Sequence, residues 1–293
     1  MSISGGAYTA LVTPFQGGHL DKYGLIALIE RQVENGIHGL VPCGTTGEAS
    51  TLSSEEHLLV VQLTVQTVAG RVTVLAGTGA NNTDEAIHLT QCAEKVGADA
   101  VLSVTPYYNR PTQEGLYRHY RAIAEATALP IVLYDVPSRT GVNIFPDTVA
   151  RLAQIDNIVG IKVATGNMAQ ASETIRLCGE NFQVFSGNDS DNLPILALGG
   201  SGMISVTSNV VPKEVANLHK NWIAGNISQA QKEHYHLEPL NKAMFLETNP
   251  IMVKSALALM GLISSELRLP LCEPADVNFK KLETTLKNMG LIK

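Results

Sequence analysis

The chain is short of charge, aromatics and base. Only 16% of its 293 residues are Asp, Glu, Lys or Arg, 5% are aromatic, and a single tryptophan is present. Lys and Arg number 21 against 27 Asp and Glu, for a net charge of −6. That balance leaves no basic footprint for nucleic acid or an anionic membrane surface. The four cysteines, Cys43, Cys92, Cys178 and Cys272, are far apart and form no CxxC pair. Zinc ribbons and disulfide frameworks are therefore not expected, and the thiols read as buried or inert in a reducing cytosol. No stretch reaches the ~18–20 apolar residues of a membrane span. The first residues, Met1-Ser2-Ile3-Ser4-Gly5-Gly6, lack a basic segment followed by an apolar run, so no signal peptide is expected. A soluble cytoplasmic protein with one large domain or two small ones is the reading that remains.

What is present is a repeated pattern. Apolar, β-branched runs centre near Leu11, Val41, Leu75, Ser103, Leu133, Ile161, Val184 and Ile204. Helix-length segments fill most of the gaps, and several carry start signals. Asp21 precedes Leu25, Leu28, Ile29 and Val33 at helical spacing. Ser53 and Glu56 are spaced as a capping box, and Thr83 and Thr112 are candidate N-caps. Strands alternating with helices imply parallel pairing through right-handed crossovers. Eight such units in about 225 residues predict a (β/α)₈ TIM barrel over 1–225.

The strand signal stops after Trp222, and residues 226–293 read as a C-terminal helical region. Helices are expected over about 228–246, kinked or interrupted at Pro239, then about 250–260 and about 277–289. Asn249-Pro250 reads as a cap followed by proline at the first helical position. Gly261 and Gly290 suit helix C-termini.

A barrel of this kind carries its active site at the C-terminal ends of its strands. In Ile158–Ala164, period two puts Gly160, Lys162 and Ala164 on one face and Val159, Ile161 and Val163 on the other. The bulky face should meet the outer helices, leaving Lys162 inside. Desolvation there disfavours the charged amine and frees it as a nucleophile; a lysine paired with an interior carboxylate is the plainer alternative. Tyr134 shares parity with Val132 and points inward beside that strand, either as a proton relay or as an ordinary core tyrosine. Gly44-Thr45-Thr46-Gly47-Glu48 is a turn whose backbone N–H groups and hydroxyls suit a carboxylate, or a plain βα turn. Glu48 is a general base or, more simply, a helix N-terminal carboxylate. Arg139 suits bidentate carboxylate recognition, or is a solvated loop arginine. The adjacent Tyr107 and Tyr108 are interfacial, or a core-and-surface pair.

Other motifs fail. Gly77-Thr78-Gly79 opens like a dinucleotide fingerprint, but Asn82 stands where the third glycine belongs. No Walker-type loop is present, and Gly199-Gly200-Ser201-Gly202 falls on the wrong end of the barrel. His234 and His236, two apart on a helix, do not share a face, so no metal site is expected from them.

The segments GTTGE at 44–48, TPYYNRP at 105–111, YDVPSRTG at 134–141, GIKVA at 160–164, SGND at 186–189 and NPIMVK at 249–254 resemble, in order, the dihydrodipicolinate synthase family within the N-acetylneuraminate lyase superfamily. The resemblance implies a Schiff-base enzyme that condenses pyruvate with (S)-aspartate 4-semialdehyde in lysine and diaminopimelate biosynthesis, with no metal or organic cofactor. On matching positions it implies Lys162 as the imine-forming residue. Thr45, Tyr108 and Tyr134 match a proton relay, with Tyr108 supplied by the neighbouring subunit. Arg139, Thr46 (chiefly through its backbone), Ile204 and Gly187 match substrate-binding positions. Ala49, His57, Asn81, Glu85 and Tyr107 match a regulatory pocket for L-lysine. A homotetramer built from tight dimers is the implied assembly.

Two departures stand out. Asp135 occupies a place where the family commonly has Asn, and Ser54 a place where lysine-sensitive members often have His. Asp135 has opposite parity to Tyr134 and is expected off the catalytic face. His57 is alternatively a plain surface histidine. The nearest rivals are another pyruvate aldolase, such as N-acetylneuraminate lyase or a 2-keto-3-deoxy acid aldolase, and a non-catalytic barrel that binds 2-oxo acids.

Overall fold

Eight parallel strands close into a barrel: β1 (Gly6–Ala10), β2 (Gly39–Val41), β3 (Thr73–Gly77), β4 (Ala100–Val104), β5 (Ile131–Asp135), β6 (Ile158–Val163), β7 (Gln183–Ser186) and β8 (Gly202–Ser205). β1 pairs with both β2 and β8, so no strand edge is left open. The computed structural model describes residues 3–293; Met1 and Ser2, at the head of the expected 1–225 segment, lie outside the described residues.

One helix follows each strand: α1 (Lys22–Glu34), α2 (Ser54–Val68), α3 (Thr83–Lys95), α4 (Gln113–Glu125), α5 (Pro146–Leu152), α6 (Met168–Cys178), α7 (Asn192–Ala197) and α8 (Pro212–Ile223). Asp21 caps α1 by accepting from the Gly24 amide, and Thr112 caps α4 through the Gly115 amide. Ser53 and Glu56 form the reciprocal capping box. The cap of α3 falls one residue earlier than expected. Asn82 accepts from the Asp84 amide, while the Thr83 hydroxyl turns to His119 Nδ1 at 2.9 Å. Both residue types cap well; the tertiary partner on α4 decided between them. A short hairpin, Phe15–Gln16 against His19–Leu20 around Gly17 and Gly18, had no counterpart in the strand pattern.

Three further helices complete the chain: α9 (Ile227–Ala243), α10 (Ile251–Leu259) and α11 (Asp276–Asn288). α9 runs through Pro239 without interruption. Asn249 is not a cap and Pro250 stands ahead of the first helical residue, because the Asn249 side chain is engaged elsewhere, as described below. Gly261 and Gly290 follow their helices with φ of 73° and 70°, the left-handed conformation expected of them.

The core has two layers. Tyr8, Val41, Leu75, Leu102, Val132, Tyr134, Phe185 and Ile204 fill the barrel interior. The alternate strand residues pack against the helices, and Leu237, Leu240, Met252, Val253, Leu282 and Leu286 of α9–α11 join that same outer core. One expectation about facing fails. Register slips between β5 and β6, with Ile131 opposite Ile158 but Val132 opposite Gly160. Val159 is thus the extra residue of a bulge, and it packs with the interior instead of the helices. From Gly160 onward the alternation holds. Among the thiols, Cys43 is buried and burial pushes it far up, and Cys178 is half-buried and raised to about 11. Cys92 is half-buried and Cys272 exposed, so of the two alternatives burial holds fully for Cys43 alone.

Candidate active site

The interior-facing pair Tyr134 and Lys162 sits directly opposite in the β5–β6 register. Both are buried, and Lys162 Nζ lies 4.2 Å from the centre of the Tyr134 ring. A cation or amine over an aromatic face is held without a counter-ion. Among the described residues, no carboxylate lies within ion-pair distance of Lys162, so the paired-lysine alternative is not what the fold builds. Gly187, at the end of β7, explains the room. A Cβ there would come within 2.9 Å of Lys162 Cε and 2.9 Å of Ala164 Cβ.

A cleft of ≈590 Å³ opens beside this pair, and Thr45, Tyr134 and Arg139 line it. Lys162 itself lies just behind Tyr134 and is not on that lining. Thr45 belongs to a tight turn closed by the Gly47 amide donating to Gly44 O at 3.1 Å and the Glu48 amide to Thr45 O at 3.1 Å. Arg139 stands on the short helical turn Pro137–Thr140 and donates from Nη2 to the Asn249 carbonyl at 3.1 Å. Ile204 is buried in the interior layer near the mouth. Thr46 is buried outside the cleft, its hydroxyl accepting from Asn249 Nδ2 at 2.9 Å.

Tyr108 does not join these groups within its own subunit. It is 90% exposed, with φ +74°, on the loop after β4. The same cleft extends along Ala49, His57, Glu85 and Tyr107, so four of the five residues matched to a regulatory pocket do come together. His57 is buried, and its Nε2 meets the Gly77 carbonyl at 2.9 Å, so the surface alternative is overturned. Burial holds its imidazole below the usual range. Asn81 is off the lining; its side-chain amide donates to Tyr107 O at 3.2 Å. Burial, then the Glu85 charge, pushes the Tyr107 phenol up.

Two groups take roles the sequence did not reveal. Glu48 is neither a general base nor a simple helix-end carboxylate. It is buried in a left-handed conformation, φ +53°, and accepts from Lys254 Nζ at 2.6 Å and from the Arg268 amide at 3.1 Å. Asp189 of the SGND segment accepts from the Ser205 hydroxyl and from the amides of Val206 and Thr207 at 2.9 and 3.0 Å, tying the end of β7 to that of β8. Ion pairs more than 200 residues apart leave no periodic signal; only an isolated Lys254 in the apolar run of α10 hinted at one. Asp135 lies on the outer side of β5, as parity predicts, accepting from the Ile144 amide and Gln170 Nε2. Among the described residues, no group of three or more His, Cys, Asp or Glu is placed to hold a metal ion.

A closed (β/α)₈ barrel with a lone amine against a phenol at its mouth has the equipment of a carbonyl-condensing, imine-forming protein. The model of the dihydrodipicolinate synthetase family matches residues 3–289, and the chain belongs to that family. It is 60% identical to the 4-hydroxy-tetrahydrodipicolinate synthase of Thermodesulfovibrio yellowstonii, over 98% of this chain and 99% of that one. Among solved structures, the chloride-inhibited dihydrodipicolinate synthase from Acinetobacter baumannii complexed with pyruvate is 46% identical. It has a TM-score of 0.97 and covers 99% of this chain and 100% of that one. The enzyme from Cyanidioschyzon merolae with lysine bound is 37% identical with a TM-score of 0.96, both chains being covered in full.

Proposed function

We propose that the chain condenses pyruvate with (S)-aspartate 4-semialdehyde to give 4-hydroxy-tetrahydrodipicolinate. The observation that carries the reading is the unpaired Lys162 amine held 4.2 Å from the Tyr134 ring in a chain of this family. Lys162 Nζ attacks the keto carbon of pyruvate and expels water as an imine forms. The protonated imine accepts the electron pair left when a methyl proton departs, so an enamine results. The enamine carbon attacks the semialdehyde carbonyl. The substrate's own amine then displaces Lys162 and closes the ring. Tyr134 and Thr45, with Tyr108 from a partner subunit, carry protons in this scheme. Arg139, Thr46, Ile204 and Gly187 bind and orient the substrates. The imine itself is the electron sink, so the route calls for no metal or organic cofactor.

The rest of the assignment belongs to the same reading. A homotetramer of tight dimers would give the exposed Tyr108 a neighbour's active site to enter. L-lysine is the proposed effector, received where Glu85 and Tyr107 line the cleft. A cytoplasmic location accords with four free thiols, and no helix among the described residues is long and apolar enough to cross a membrane. The barrel is assigned to 1–225 and the helical region to 226–293, with Gly225 at the turn between α8 and α9.

Borohydride added with pyruvate should leave one covalent adduct, on Lys162, and Lys162→Ala should abolish both adduct and turnover. A coupled assay with pyruvate and semialdehyde decides the reaction. Turnover of sialic acid alone would assign the chain to the lyase side of the superfamily, and no adduct at all would leave only a binding barrel.

A further inference from the structure

We propose that Lys254, on α10, is a positioning residue for the hydroxyl-bearing turn Gly44–Gly47, acting through Glu48. The inference rests on the function proposed above and concerns residues that touch none of the reacting groups.

The turn is over-determined from the far end of the chain. Glu48 follows it directly and sits in a backbone conformation unfavourable for any residue with a Cβ. Such a conformation persists only where its surroundings impose it. Here both carboxylate oxygens are taken. Oε1 accepts from Lys254 Nζ at 2.6 Å, with both side chains fully buried, and Oε2 accepts from the Arg268 amide at 3.1 Å. Lys254 Nζ lies 4.3 Å from the centre of the Phe15 ring, and the Arg268 guanidinium lies 4.2 Å from it. Arg268 continues the clamp to the start of α2, reaching both Glu56 oxygens at 2.6 Å and the Thr51 carbonyl at 3.0 Å.

The other side of the turn is held from the same C-terminal segment, where Asn249 Nδ2 donates to the Thr46 hydroxyl. Thr13 Oγ1 donates to Gly47 O at 2.7 Å from below. Thr45 is therefore followed by three fastened residues, Thr46, Gly47 and Glu48, and its carbonyl accepts from the amide of Glu48 itself. A surface helix end would need none of this. A buried ion pair is weak evidence for stability, because burial opposes both charges, and replacement by apolar groups is often neutral. Its geometric content is another matter, since it holds one carboxylate at one place. Reaction geometry is sensitive to displacements of about 1 Å, which can lower turnover by up to roughly 10²-fold.

The test compares Lys254→Met, Glu48→Gln and the double variant Glu48→Gln/Lys254→Gln with the parent, each as the intact oligomer. We expect Lys254→Met to lower kcat about tenfold, with KM for pyruvate changed less than twofold. The neutral amide pair of the double variant should recover most of that loss, because it restores a hydrogen bond without charge. A purely structural role would lower Tm but leave the kcat of the folded variants at the parent value, and that result overturns the inference. So does a double variant no better than the single. If Lys254→Met does not fold, Glu48→Gln decides alone. Its single amide oxygen can accept from Lys254 or from the Arg268 amide but not from both, so one of the two contacts is lost, and a kcat within twofold of the parent together with an unshifted pH profile counts against the idea. Failure of the parent to turn over semialdehyde would sink the underlying function and is separately visible.

Discussion

Asp135 stands next to Tyr134, yet faces away from the chemistry. It is fully buried, and burial pushes its carboxyl up to about 7, against the smaller opposing effects of the Ile144 amide and Gln170. Burial, and then the Asp135 charge, pushes the neighbouring Tyr120 phenol well up. In the unfolded chain the group loses its proton near 4, in the folded chain near 7. Between those values the folded state binds the extra proton, so stability falls as pH rises through the window and is level above it. A shift of that size corresponds to about 4 kcal/mol. Asp135→Asn should remove this slope. Thermal melts at fixed protein concentration should show the variant gaining on the parent from pH 4.5 to pH 8. Equal slopes in both proteins would contradict it. Burial holds the imidazoles of His119 and His219 down at about 4, so their contribution is lost as pH falls from 6.5 toward 4. That effect is common to both proteins and cancels in the difference.

At the scale of elements, β6 and β7 meet where the amine is held. Gly187 ends β7 by donating its amide to Val163 O at 2.7 Å, which brings its Cα against the Lys162 stem. Gly187→Ala places a methyl 2.9 Å from Cε, a contact that only movement of the side chain relieves. The variant should fold, with unfolding midpoint within a few degrees of the parent, and trap pyruvate under borohydride at least tenfold more slowly. Trapping at the parent rate would show that the close approach is tolerated. The alternation along β6 was readable from Gly160 to Ala164, but the bulge at Val159 was not. A bulge is a matter of register between two strands, and one strand's sequence carries only its own parity. The cap of α3 and the fate of Asn249 misled for a related reason. Each had a local role available and a distant partner that outbid it.

For the whole molecule, the exposed Tyr108 is the telling feature. A phenol left 90% exposed on a left-handed loop residue is of no use to its own cleft. Tyr108→Phe should slow turnover at least tenfold without changing the sedimentation coefficient or the melting curve. Mixing that variant with an inactive Lys162→Ala protein should restore part of the activity, because hybrid dimers then hold one complete site. No recovery after confirmed subunit exchange would place the tyrosine's effect within its own subunit. The low charged fraction accords with a parallel barrel whose strands are covered by helices on the outside, which leaves little strand surface to solvate.

Eight strands, their alternating helices and the inward set of Lys162 and Tyr134 were legible in the chain alone, because periodicity and turn chemistry are local. Strand-end glycines and the run of matched segments likewise pointed to the mouth of the barrel before any coordinates. Only the tertiary structure decided that, among the described residues, Lys162 has no carboxylate partner and Lys254 does. It also decided that His57 is buried and that Asn249, Lys254 and Arg268 of the C-terminal segment grip the turn after β2. Those outcomes depend on groups apart in sequence meeting in one place, 20 residues for His57 and Gly77 and 206 for Glu48 and Lys254, and desolvation, which fixes whether a charge is paired or bare, exists only once they have met.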